Sequence, residues 1–577
     1  MDYLRDLIQP RETELETNLG WRMDLDRRMY ELEEFAMKQT DNETVMADVV
    51  NVTLNYPQTF ADKVISVISG AVTQIVVEGT EMSELTKEKE SAIEGCFEDI
   101  MELANERLTN LEMPDLLTYQ AGQMALRGRA AQRNLVQQGK DGELEVDIMP
   151  CDTRYFTYGA SGKRLVWGCN RYWRANQDII EDYPEAEEKL AGKTSTHKSQ
   201  IRDFWNDSAN IVYLEEDILR EAENPLGYPP FTYRMCNTGM FFNDIGSESH
   251  RGESIYSALR NNNGRGVYYE LNRAMSILAT VALYAAKPGY TREVEDISNT
   301  TAPGESQKPG VGKVKDIQRG MTYTMDKLPD INQAVQLYWN IIKSAYDQAS
   351  LSMTEYGNTQ FPLSAVALKS LSSKNDTIYL PRIQALSQLF QRGFYQIREQ
   401  LSRVEGVIDI STEDREISYK TEDLSGKYRI GFKFYSVSPE EEVANTALAS
   451  AYKAQGVDDE TIYRDIYKFQ NPGEKLARAR EQRVKTRYPE LEDLEAVYYA
   501  IEQGEDTKAR MIFVLWKQGM RQKYLPQQQP IQPGMPTVWQ PQGNGNKPGS
   551  ELMPLLNKDG RRAKVPAEKL PAMPEVS

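Results

Sequence analysis

Histidine is almost missing from this chain: His197 and His250 are the two in 577 residues, and both sit in polar surroundings, KTSTHKSQ and GSESHRGE. Imidazole acid–base chemistry and histidine-built metal sites have almost nothing to draw on, and both residues read as solvated loop positions. Cysteine is nearly as scarce. Cys96, Cys151, Cys169 and Cys236 lie far apart with no CxxC spacing, a pattern of reduced, partly buried thiols rather than of a disulfide frame or a zinc site. Basic clusters are lacking too: 68 Lys and Arg against 86 Asp and Glu leave a net charge of −18, so the surface as a whole repels nucleic acid and anionic membranes. No apolar run is long. The longest lies in RGVYYELNRAMSILATVALYAAKPG, where 13 uncharged residues separate Arg273 from Lys287, against the roughly 20 that span a bilayer. The opening MDYLRDLIQPRETELE has neither the basic start nor the apolar middle of a secretory signal, so the expected setting is cytosol.

Enzyme signatures are also lacking. The phosphate-loop lookalike KPGVGKVKD has Gln307 where the first glycine belongs and Val314 after Lys313, and reads as a turn. Gly264 and Gly266 have no third glycine at dinucleotide-binding spacing. The carboxylate pairs Glu440–Glu441 and Asp458–Asp459 fall in first helical turns, where the helix dipole accounts for them. No catalytic residue, metal site or cofactor is expected, and the chain reads as not an enzyme.

What is present is a mainly α chain with a β-rich portion, an α+β class. Its length implies several domains. Residues 1–254 hold N-terminal helices followed by aromatic and β-branched runs. A surface helix is expected to carry Leu25, Met29, Leu32 and Phe35, a second one Phe60, Val64, Val67, Ile68 and Ala71, and helix is expected to continue from Met82 to Val136. From Leu144 strict alternation in ELEVDIM opens a β-rich stretch reaching about Cys236. Residues 255–287 read as one long helix, apolar nearly all round in its latter half, whose small residues Ala274, Ser276, Ala279, Ala282, Ala285 and Ala286 let other backbones come close. A helix apolar on every face has to be covered on every face. Residues 288–329 read as a loop-rich β insertion containing GKVKDI and MTYTM. Asp330 then caps a helix, with Gln333 at the capping-box position, whose stripe is Val335, Tyr338, Trp339, Ile342 and Tyr346, running to residue 357. Residues 358–437 give a helix that Pro381 should break or kink, then EISYK and YRIGFKFYSV as a hairpin. Residues 438–524 are helical, with Ser438 and Glu441 as capping box, Pro439 in the first turn and Gly456 as the stop. The Pro- and Gln-rich residues 525–577 have a disordered composition.

Several phrases, in their order, resemble the portal proteins of tailed bacteriophages, the large Gram-positive-phage type. ENPLGYPPFTYRMCNTG resembles that family's strand before the channel helix, at Leu226, Gly227 and Pro230; RGESIYSALR resembles the start of its stem helix, at Gly252 and Ser254. LSAVALK resembles its tunnel-helix phrase at Ser364, Ala367, Leu368 and Lys369, although Ala365 stands where the family often has glycine. ALASAYKAQGVDDETIYRDIYKFQNPGEKLARAREQR resembles its crown phrase, and the likeness covers roughly residues 50–490.

The resemblance implies wing, stem, clip and crown in a homo-oligomeric ring, usually twelvefold. Residues 255–287 and 330–357 would be the stem, 288–329 the clip. It implies a conduit for double-stranded DNA at one capsid vertex of a virion, without sequence specificity, and docking of the terminase packaging motor, a head–tail adaptor, and capsid and scaffolding proteins. Placement gives Arg265, Glu270, Arg273, Lys369 and Lys374 as DNA-channel candidates, and Ala274, Ala279, Ala282 and Trp339 as stem-packing residues. The alternatives are a non-portal minor capsid protein and a multidomain phage hydrolase; a membrane channel would need spans the sequence does not have.

Overall fold

The computed structural model describes residues 2–39, 44–46, 49–79, 86–139, 144–162, 164–192, 194–236, 252–260, 266–286, 290–294, 314–318, 331–351, 365–404, 406–411, 416–435, 439–467, 469, 472–487, 497–498 and 510–517. It is an α+β structure, 53% helix and 25% strand. The chain divides into two compact units, Met1–Val484 and Lys485–Ser577.

Helical turns at Leu4–Ile8 lead into α1 (Gln9–Leu15) and, through Glu16–Gly20, into α2 (Trp21–Tyr30). The first surface helix is thus shorter than its apolar spacing implies. Leu32 takes a left-handed φ of 54° just past Tyr30, and Glu33 N–H closes onto the Arg28 carbonyl at 3.0 Å, which stops the helix. Phe35 is buried from an extended stretch, not from the helix. Of the face expected on α3 (Tyr56–Ser69), Phe60, Val64 and Ile68 are fully buried, Val67 is half-buried, and Ala71 lies past the end of the helix. Then β1 (Val72–Gly79), which the sequence reading passes over, precedes α4 (Lys87–Asn110) and α5 (Leu116–Leu126).

The expected helix does not continue to Val136. Gly128, at φ 67°, has the Gly252 carbonyl 2.2 Å from where a Cβ would stand, so only glycine makes that turn, and β2 (Arg129–Gln138) follows. Tertiary pairing overrides the helix-favouring residues there, because β2 is hydrogen-bonded on both edges, to β3 (Leu144–Cys151) and to a strand near Cys236. A five-stranded antiparallel meander is built from β4 (Phe156–Ala160), β5 (Leu165–Ala175), then α6 (Asn176–Asp182) and α7 (Ala186–Leu190) as a crossover, and β6 (Lys198–Asn206), β7 (Ala209–Leu214) and β8 (Asp217–Glu223). The last strand of this portion, β9 (Phe231–Met235), returns to β2 and ends the β-rich stretch where the sequence placed its end.

The long helix expected from Ile255 is two pieces. Ile255–Ala258 is one 3₁₀ turn, and α8 runs Val267–Ala286. Between them Arg260 is held by Asp26 in a buried ion pair (Nη2 to Oδ2 3.0 Å), and Gly266 packs with the Leu259 carbonyl 2.4 Å from a would-be Cβ, so the chain bends on itself before the helix begins. The insertion contains β10 (Tyr290–Val294) paired in parallel with β11 (Val314–Gln318). Helix α9 covers Ile331–Ala349 and α10 covers Ala365–Leu401, continuing through Pro381 without a break.

The expected hairpin of EISYK with YRIGFKFYSV is also replaced. A strand missed in the sequence, β12 (Val407–Ser411), pairs with β13 (Glu416–Lys420); after α11 (Thr421–Leu424), β14 (Tyr428–Tyr435) pairs instead with β1. Downstream the Pro439 and Gly456 signals hold. Helix α12 spans Pro439–Ala454, with Gly456 past its end at φ 85°, α13 (Asp459–Thr461) opens on an Asp458 side-chain cap, and α14 spans Pro472–Arg487. In the second unit residues 510–517 are helical, with Phe513 stacked on Trp516. Asp330, Ser438, MTYTM and the tail 525–577 lie outside the described residues.

Three helices hold extended chain by the same device. Asn272, Ser276 and Thr280 of α8 accept the N–H groups of Leu54, Val52 and Val50 at 3.1, 3.0 and 2.9 Å. Glu94 and Glu90 of α4 accept from Val77 and Gly79 on the free edge of β1, at 2.8 and 3.1 Å. Ser387 and Gln391 of α10 donate to the Phe432 and Ile430 carbonyls on the free edge of β14, and Arg398, outside that spacing, reaches the Tyr428 carbonyl. Four helical residues rise about 6.0 Å and two strand residues about 6.6 Å, so side chains at i and i+4 meet alternate backbone groups of a strand.

Candidate functional site

The site the sequence singles out is the helix pair α8–α9 with its insertion. Tyr268 and Leu271 near the start of α8, and Tyr346 and Leu351 at the end of α9, are buried in one core cluster with α3, α5 and α10. The two helices therefore leave that core and return to it in opposite directions. At their junction Tyr338 Oη donates to Glu270 Oε2 at 2.8 Å, and Arg273 lies 3.5 Å from the same oxygen.

The proposed residues divide by place. Glu270 and Arg273 are brought together, so their charges largely answer each other and Tyr338. Ala274 is fully buried and Trp339 half-buried against the shared core, whereas Ala279 is half-buried and Ala282 exposed. Lys369 and Lys374 stand in the opening turns of α10, away in sequence from the pair. Arg265 lies outside the described residues. Of the expected α9 stripe, Tyr346 is buried, Ile342 and Trp339 are half-buried, and Tyr338 is 39% exposed.

Two features escaped the sequence reading. Leu337 and Ile341, 63% and 58% exposed, make a second apolar row on α9, with Leu283 on α8 also exposed. Their i, i+4 spacing was the available signal. The other is the polar ladder of Asn272, Ser276 and Thr280, where the close backbone approach foreseen at the small residues is made by residues 50–54. Tyr268 Oη adds a bond to the Leu54 carbonyl at 2.8 Å.

Neither the family models nor the curated proteins searched match this chain. Its chemistry is left to its own residues. Among the described residues no group of three or more His, Cys, Asp and Glu side chains stands ready to hold a metal ion. The four cysteines are free and buried, and burial pushes the Cys151 thiol up to about 12 and those of Cys96 and Cys169 well above the ordinary range, so none is poised as a nucleophile. His197 is exposed, and His250 lies outside the described residues. No described helix is long and apolar enough to cross a membrane. A groove of about 760 Å³ opens beside the root of the pair, lined by the aromatic Trp21, Phe35, Tyr268 and Tyr269 and by charged side chains that include Asp24, Glu33 and Arg28.

Proposed function

We propose that this chain is the subunit of a phage portal ring: a structural conduit through which DNA enters and leaves a capsid, and on which a packaging motor and tail adaptors dock. The observation that carries the reading is the uncovered apolar row of Leu337 and Ile341 on a helix pair whose other side is buried. A lone subunit leaves that row in water. Neighbouring copies stacked around an axis cover it, each offering two different faces, as a closed head-to-tail ring requires. The bracketing of the paired strands β10 and β11 by two long helices, and the phrases resembling portal proteins, support the same reading. A minor capsid protein of similar composition needs no such pair.

Electron microscopy of the purified protein is the test. Rings with an axial hole are expected, and Ile341→Lys should abolish them, since an unpaired charge placed in a dry interface costs several kcal/mol. A wild-type protein that stays monomeric by light scattering, with no rings on the grid, overturns the reading.

A further inference from the structure

Several buried or half-buried arginines of this protein are matched by carboxylates. Arg133 lies between Asp147 and Asp203, Arg154 holds Asp24 and Glu16, Arg202 holds Glu12 and Arg260 holds Asp26. The seam where α10 crosses β9 is different. Arg234 is half-buried, its Nη1 reaches only the Tyr233 carbonyl at 3.3 Å, and its Nε is buried with no hydrogen-bond partner. Arg392, half-buried on the facing turn of α10, makes no ion pair among the described residues. The adjoining Gly393 brings that turn against the sheet, with Gln132 and Asn134 at 3.1 Å from a would-be Cβ. Further along the seam Arg382 gives its Nη atoms to the Ile378 and Glu253 carbonyls at 2.6 and 3.3 Å, with no carboxylate. Burial, and then the charge of Arg392, press the Arg234 guanidinium below its ordinary range.

An arginine does not escape such a place by losing its proton. Half-desolvated like charges call for an anion, and among the described residues no carboxylate pairs with Arg234 or Arg392. The complementary surplus is on the wing. Glu181, Glu185, Glu187 and Glu188 around α6 and α7, with Glu216 and Asp217 at the turn into β8, are exposed and in no ion pair among the described residues. Tight binding of a duplex needs many clustered cations, which two or three arginines do not supply. Carboxylates, by contrast, match the guanidinium fork bidentately.

We propose that the Arg234–Arg392 corner of the β9–α10 seam is an inter-subunit contact that receives wing carboxylates of a second copy of this chain. The inference rests on the ring reading and names one of the two unlike faces that a ring requires.

Mass photometry over a salt series separates the possibilities, using wild type, Arg392→Glu, the triple variant Glu185→Lys, Glu187→Lys, Glu188→Lys, and all four changes combined. Each partial variant should raise the protein concentration needed for half-assembly by about tenfold, as for a close interfacial charge pair. The combined charge reversal should recover the wild-type value. The isolated Arg392→Glu subunit should melt no lower than wild type, because an uncompensated charge has been removed. Wild-type rings with an unchanged salt profile in Arg392→Glu, or no recovery in the combined variant, overturn this contact while leaving the portal reading intact. If Arg392→Glu fails to fold, the triple variant, confined to exposed positions at the start of α7, decides alone: unchanged assembly overturns the proposal. A change in duplex binding without a change in ring mass overturns it as well. Wild-type protein that forms no rings removes the portal reading and this contact together.

Discussion

At the residue scale Glu94 shows how a charge is put to structural use. It is 6% exposed, its Oε1 accepts from the Val77 N–H, Glu90 and Glu98 stand along the same helix face, and Arg464 is the cation in range. Burial raises its carboxyl to about 8, with the neighbouring glutamates adding to the shift. The folded protein therefore holds a proton there that the unfolded chain has released above about 4.5. Stability linked to this group is complete below that value, falls as pH rises, and is lost by about pH 8; the loss is of order a few kcal/mol. Glu94→Gln keeps an oxygen for Val77 and carries no charge. Its melting temperature should match wild type near pH 5 and exceed it by several degrees at pH 8, and a parallel fall of both proteins over that range would count against the assignment. In the sequence Glu94 is indistinguishable from the other acids of α4, because what raises its pKa is burial in the assembled fold.

The element scale is governed by the ladders between helices and extended chain. Replacing Ser276 by Ala leaves the Val52 N–H without its acceptor, at a cost of about 1–3 kcal/mol if the group remains buried. Amide exchange at Val50, Val52 and Leu54 should then accelerate at least tenfold while exchange within α3 stays as it was, and uniform acceleration would show that the ladder is not a local hold. This device also explains what was legible. Terminal signals carry their own stereochemistry, so Pro439 and Gly456 mark α12 correctly. The α3 face and the end of the β-rich portion were readable for the same local reason. By contrast β2, with Ala130, Ala131, Gln132 and Arg133, looks helical, and only pairing on both edges makes it a strand. The start of α8 was misplaced because the Arg260–Asp26 pair reaches across more than 200 residues. Gln396 and Gln400 of α10, which the sequence analysis does not single out, bond the Phe231 and Asn134 carbonyls under the helix. Of the candidate site, the helix pair and its insertion were visible in periodicity and punctuation; the exposed row of Leu337 and Ile341 was hidden among residues that all looked like core.

For the whole molecule, the charge balance sets how a ring of such subunits would treat DNA. Each copy brings −18, Glu270 answers Arg273 within the helix pair, and Arg265, Lys369 and Lys374 are the remaining cations proposed near a bore. Duplex binding by counterion release needs clustered basic residues. Isolated rings should therefore hold a short blunt duplex weakly at about 0.15 M salt, where screening extends about 8 Å. A salt titration that found submicromolar affinity with a steep slope would mean a basic bore and would end the picture of a low-friction conduit.

The pairing of β1 with β14 also sets a clock. Gly79 and Tyr428 are partners in that ribbon, 349 positions apart (428 − 79). A ribosome adding roughly 5–20 residues per second delivers the second strand about 20–70 s after the first. Throughout that interval Ile75, Val76 and Val77, fully covered in the finished fold, belong to a strand with no partner on the β14 side. Each nascent chain thus carries an open, sticky edge for most of its own synthesis, and on a crowded polysome that edge meets identical edges on neighbouring chains. Chaperone occupancy over residues 72–79, released once residue 435 clears the exit tunnel, is what this topology demands of the cell that makes it.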